Sequence, residues 1–232
     1  MFHFLYIILA LLPSIIWLLF FLRKDVHPEP KSKIISIFVF GMLIALPAIF
    51  IERGMYDGIG RLNIPESYIL ILQYFIAIAL VEEVLKYLVV RERVISAPEF
   101  DEPVDLMLYM IIAALGFAAA ENIFIFLRPN IFLEPFEPYL LSAARFLGAT
   151  LLHALCSGLL GYFLALSFFE TKHRLKLQSL GIIIVTGLHG LNNFSIIKGK
   201  PFVLPVVILI ALTISVFLGF SHLKKMKSVC KI

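Results

Sequence analysis

Residues 67–90 read SYILILQYFIAIALVEEVLKYLVV. About 20 predominantly apolar residues cross a bilayer as a helix, so this stretch is long enough to span one. Yet it carries Glu82, Glu83 and Lys86 in its second half. Charged side chains inside a membrane cost a few kcal/mol each or more, so they face protein or water and mark functional sites. The fold and the functional question are both set here.

Outward from this stretch the chain has the same character. Of 232 residues, 61% are hydrophobic and 16% charged, and the mean hydropathy is +0.98, far from a soluble domain. Seven segments are long and apolar enough to span: roughly 2–22, 34–51, 67–90, 105–127, 143–169, 177–197 and 202–221. Prolines and charges punctuate the connections, as in Arg23-Lys24-Asp25-Val26-His27-Pro28-Glu29-Pro30-Lys31. The expected fold is all-α: one polytopic membrane domain over residues 1–232, with a core at about 67–197. Residues 1–22 have neither a basic start nor a small-x-small cleavage site and read as a retained first span. Two cysteines, Cys156 and Cys230, suggest no disulfide framework.

The basic excess does not imply nucleic acid, because in membrane proteins Lys and Arg accumulate in loops on the cytoplasmic face. The first, third and fifth loops and the C-terminal tail hold thirteen of them; the other loops hold five. This bias predicts an outside N-terminus and a cytoplasmic Lys224-Lys225-Met226-Lys227 tail.

The strongly polar groups deep in spans lie in four consecutive segments. The third has Glu82, Glu83 and Lys86, the fourth Glu121 and Asn122, the fifth His153, and the sixth His189, Asn192 and Asn193. The first, second and seventh have nothing comparable. Residues four apart share a helix face, about 5–6 Å between Cβ atoms, which pairs Glu82 with Lys86, His189 with Asn193 and Phe117 with Glu121. Adjacent Glu82 and Glu83 point about 100° apart. One can face a cavity while the other pairs sideways, and Lys86 can reach either. Each group taken singly also has a structural reading: an intrahelical ion pair, a hydrogen-bonded histidine, amides bridging helices, Phe117 as packing. Arg145, near the start of the fifth span, reads as snorkelling to the outer interface. Together, four spans of carboxylates, imidazoles and amides point to one hydrated site.

The motifs Glu82-Glu83-x-x-Lys86, Gly116-Phe117-Ala118-Ala119-Ala120-Glu121-Asn122, His153-Ala154 and His189-x-x-x-Asn193, in that order and one per span, resemble the signature of PrsW-type intramembrane proteases. The loops around Asp25 and Glu102 resemble that family too. It is similar to the wider superfamily of CAAX prenyl proteases and bacteriocin-processing proteins, whose motifs are EExxxR, FxxxH and HxxxN. Lys86 and Glu121 depart from that wider pattern and match the narrower family. The resemblance implies an intramembrane endopeptidase of the prokaryotic plasma membrane. Its substrate class would be a single-pass transmembrane protein such as an anti-sigma factor, cleaved within membrane lipids in response to envelope stress.

It also implies roles. Glu82 is the base that activates water, and Glu83, held by Lys86, supports it. His189 and Asn193 donate to the oxyanion, while His153 and Glu121 orient water or shuttle the proton; Asn122, Phe117 and Asn192 support the site. Neither Ser157 nor Cys156 sits in a nucleophile motif, which favours direct attack by water without a metal cofactor. Zinc held by His153, His189 and a glutamate is the alternative. A proton- or ion-coupled transporter is the alternative from another class. Counted from the span midpoints at 1.5 Å per residue, Glu121, His153 and His189 lie roughly 4–8 Å outward and Glu82 and Glu83 about 5–6 Å inward. A common site therefore requires the third span to run further, to about residue 95, or to be tilted or broken.

Overall fold

A computed structural model describes residues 2–24, 28–95, 103–129, 131, 134–199 and 203–229. Seven helical segments are long and apolar enough to cross a membrane, and among the described residues there is no strand. Asp25, Glu102 and Cys230 lie outside the described residues. The first two spans are α1 (Phe2–Leu22) and α2 (Lys31–Gly60). The third is assembled from α3 (Glu66–Leu72), a π-helical stretch (Gln73–Leu80) and α4 (Val81–Val90).

The centre of the bundle is α5 (Pro103–Phe126), the fourth span, with 18 of its 24 residues buried. It is apolar or small on every side, so it has no face to turn outward. Glycines let its neighbours approach to backbone contact. A Cβ at Gly41 of α2 would strike the Ala113 carbonyl of α5, and one at Gly116 would strike the Phe38 carbonyl of α2. Small residues at such crossings drive helix packing where lipid supplies no hydrophobic force. Around this core the outer helices show apolar side chains to lipid, among them Phe50 at 76% and Leu218 at 64% exposure.

The fifth span is two helices, α6 (Glu137–Leu147) and α7 (Ala149–Phe169). Pro138 starts α6 within its first turn, and Gly148 (φ −103°, ψ −102°) breaks the helix before α7. The last spans are α8 (Arg174–Ile197) and α9 (Val203–Val229).

Two expectations about spans change. The second hydrophobic run does not end the helix at residue 51: α2 continues for more than two turns to Gly60, taking Glu52 with it. The third span runs from Glu66 to Val94 and is interrupted by its π-helical stretch. Bonds from i to i+5 use more residues per turn than the α-helix does. Residues after Leu80 therefore advance less far along the axis than an unbroken α-helix would carry them. That shortens the depth offset of Glu82 and Glu83 from the facing histidines, and in the packed bundle Glu82 comes within 3.5 Å of His153 and 3.9 Å of His189.

Candidate active site

Glu82, Glu83 and Lys86 all fall on α4 directly after the π-helical stretch and are buried, with exposures of 5%, 0% and 0%. Lys86 Nζ donates to Glu83 Oε1 at 2.7 Å and lies 3.6 Å from Glu82 Oε2. The ammonium also sits 5.0 Å from the Phe117 ring centroid, on the electron-rich face that attracts cations. Phe117 thus supports the site by holding a charge.

The two glutamates divide their roles as adjacency on a helix allows. Glu83 is saturated: Oε1 takes bonds from Lys86 and from His189 Nδ1 at 2.9 Å, and Oε2 takes the Ser157 hydroxyl at 3.2 Å. Glu82 Oε2 has no hydrogen-bond partner although it is buried. It lies 3.5 Å from His153 Nδ1 and 3.9 Å from His189 Nε2.

Proton positions on both imidazoles follow from their partners. An ammonium can only donate, so His153 Nδ1, 3.1 Å from Lys86 Nζ, accepts. Its proton then sits on Nε2, 3.0 Å from Glu121 Oε2. Carboxylate Glu83 accepts from His189 Nδ1–H, which leaves His189 Nε2 with a free lone pair. Each ring is oriented from behind by a carboxylate, the arrangement that fixes histidine tautomers around metals. Glu82 Oε2 and His189 Nε2, each with a lone pair free, converge beside His153 Nδ1, whose lone pair takes Lys86, and one ligand atom from each of these residues lies within 4.8 Å of the others. The set suits a divalent cation that takes N and O donors.

Glu121, at the end of α5, is anchored from the far side. Arg145 Nη2 donates to Glu121 Oε2 at 2.5 Å, and Arg145 Nε donates to Asn122 Oδ1 at 2.5 Å. Arg145 does not snorkel: two acceptors on one neighbouring helix hold a guanidinium fork better than the interface does. Asn122 in turn donates to the Ala10 carbonyl at 3.1 Å and to Thr150 Oγ1 at 3.2 Å, tying α5 to α1 and α7.

A cavity of about 300 Å³ collects Glu82, Glu121, Arg145, His153, His189 and Asn193 in its wall. Asn192 does not line it; it is buried in α8, where its carbonyl accepts the Ser195 hydroxyl. Glu83, Lys86, Phe117 and Asn122 stand behind the wall. Glu52 of α2 lines the same cavity, so the second span does contribute a carboxylate. In the sequence Glu52 closes a hydrophobic run and looks interfacial; no local signal shows that it turns inward. Ser157 and Arg145 were likewise visible as residues, but their acceptors lie on other helices.

The model of the PrsW family intramembrane metalloproteases matches residues 29–219. A protease PrsW of Geobacillus kaustophilus is 31% identical over 176 residues, covering 75% of this chain and 72% of the relative. One from Oceanobacillus iheyensis is 31% identical over 187 residues, covering 81% and 80%. A third, from Bacillus subtilis, is 27% identical over 185 residues, covering 78% of each. No solved structure matches the chain.

Proposed function

The chain belongs to the PrsW family of intramembrane proteases and is an integral membrane peptidase of the bacterial plasma membrane; from that premise we propose that it hydrolyses a peptide bond of a single-pass membrane protein with a water activated beside Glu82. The convergence of Glu82 Oε2, His153 Nδ1 and His189 Nε2 on one buried cavity supports this reading. Nothing in the helical architecture favours the ion-transport alternative.

In this reading the water oxygen attacks the scissile carbonyl carbon and Glu82 Oε2 takes the proton that the water gives up. Glu82 suits the task because it is the glutamate of the pair with an unoccupied oxygen. Glu83 stays a spectator that fixes Lys86 and the His189 ring. The Asn193 amide is the neutral donor available for the developing oxyanion. His189 joins it only after gaining a proton on Nε2, because Nδ1–H is committed to Glu83. The proton on Glu82 then passes to the leaving amine as the C–N bond breaks. His153, held by Glu121 at Nε2 and by Lys86 at Nδ1, lines the cavity beside the water.

A specific observation favours a metal at the same place. One ligand atom from each of Glu82, His153 and His189 lies within 4.8 Å of the others, and the Glu82 and His189 atoms have a lone pair free. Glu82, His153 and His189 would hold it, and zinc would supply Lewis acidity to the water and to the scissile carbonyl. By charge bias the cavity lies toward the outer face, with the N-terminus outside and the tail cytoplasmic. An anti-sigma factor cut there would begin regulated proteolysis under envelope stress.

Co-expression of the full chain with candidate anti-sigma factors provides the test. Glu82→Gln is expected to lower cleavage at least about 100-fold with unchanged yield of folded protein. Full activity in that variant would end the assignment. Metal content and cleavage after strong chelation separate the two versions. Direct water attack predicts retained cleavage, while zinc predicts a stoichiometric metal that is lost in His189→Ala.

A further inference from the structure

Beside the catalytic cavity lies a larger one of about 710 Å³, and Glu52, Ile78 and Glu121 line both. The two are chambers of one cleft, with α2, the π-helical stretch and the end of α5 forming the common wall. A peptide that reaches Glu82 through the larger chamber passes Glu52.

The charges along this cleft are almost all matched within the chain. Glu121 is held by Arg145 and His153. Asp57 lies 3.9 Å from Arg53. Lys86 serves both Glu82 and Glu83. Glu52, half-buried, has neither a hydrogen bond nor an ion pair among the described residues. It shares the larger chamber's wall with apolar Ile49, Ile78 and Phe124 and with the charged Arg53, Asp57 and Arg128. It also stands outside the Glu82–His153–His189 set, so a cation held there would leave it unmatched. A carboxylate beside apolar walls gains most from a cation that arrives with a ligand. Around the smaller chamber Glu52, Glu82, Glu83 and Glu121 face Lys86 and Arg145, while Arg128 and the Asp57-paired Arg53 line only the larger one.

We infer that Glu52 is a specificity residue, receiving a lysine or arginine side chain of the substrate close to the bond that is cut. This rests on the reading of the Glu82 cavity as the place of hydrolysis. Because Glu52 and Glu82 line one chamber, the basic residue lies within a few positions of that bond, at about 3.4 Å of extended chain per residue. Charge complementarity of this kind selects partners more than it adds raw affinity.

The test uses the full-length protein in membranes with single-pass reporters randomised around the outer end of their transmembrane segment, the cleaved products being sequenced. Wild type is expected to favour Lys or Arg over Asp or Glu at one fixed position by about tenfold. Glu52→Gln should bring that ratio close to one, the loss falling on kcat/KM for basic substrates, and Glu52→Lys should invert it. Cleavage by wild type with no basic preference overturns the inference while leaving the protease reading intact. So does a preference that survives in Glu52→Gln. A folded Glu52→Gln that cuts no reporter would place Glu52 in the hydrolytic machinery and also overturn the inference. Product patterns identical in wild type and Glu82→Gln would instead defeat the reading on which it rests. The wild-type profile decides the matter even if a variant fails to fold.

Discussion

Lys86 is fully buried, yet it touches two carboxylates, an imidazole and an aromatic face. Such a charge persists in a membrane interior only with its partners in place. Lys86→Met should therefore destabilise the protein by about 3–5 kcal/mol, the cost of leaving buried carboxylates uncompensated. Thermal or denaturant unfolding in detergent measures this, and adding Glu83→Gln should recover part of the loss. The i,i+3 and i,i+4 spacings already said that Lys86 reaches both glutamates. They did not say which glutamate would be saturated. That was decided by His189 on α8 and Ser157 on α7, which both donate to Glu83 and leave an oxygen of Glu82 free. Three-dimensional proximity, not helix spacing, separates the pair.

Among the elements, α6 depends most on a single side chain. It is cut off from α7 by Gly148 and joined to the bundle through Arg145, through Ser142 donating to the Leu9 carbonyl at 2.8 Å, and through Trp17 donating to the Phe146 carbonyl at 2.9 Å. Arg145 also holds Glu121, which orients His153, so the helix and the chemistry are coupled. Arg145→Ala should speed amide exchange across residues 137–147 while α5 and α7 stay protected, and should lower cleavage about tenfold or more by freeing Glu121. Arg145→Lys should rescue this poorly, because an ammonium lacks the planar fork that reaches Glu121 and Asn122 together. The sequence offered Arg145 as an interfacial cation, since one helix seen alone has no acceptor for it. The π-helical stretch left no mark in composition, residues 73–80 being apolar apart from Gln73 and Tyr74; only the depth mismatch pointed to a longer, tilted or broken third span. What is seen beside the stretch is Gly190 of α8, where a Cβ would fall 2.7 Å from the Phe75 ring.

At the scale of the whole molecule the seven spans, the buried α5 and the lipid-facing outer helices form one bundle with its polar groups gathered off-centre. The loop bias predicts its orientation: a reporter fused after Ile232 should be active only in the cytoplasm, and one fused before Met1 only outside. Opposite results at both ends would invert the bundle and move the cleft to the cytoplasmic side. The number of spans and the presence of acidic, imidazole and amide groups in four of them were legible because transfer of a segment into hydrocarbon is a local property, nearly additive over its residues. Motif order carried the family for the same reason, each motif lying within one helix. The added carboxylate of Glu52, the anchoring of Glu121 by Arg145 and the free oxygen of Glu82 were not legible. Each is a choice of partner among charges on different helices, and electrostatic and hydrogen-bond partners are fixed by interatomic distances of a few ångströms. Those distances exist only once Gly41 and Gly116 bring α2 against α5 and the widened turns of the third span set its register.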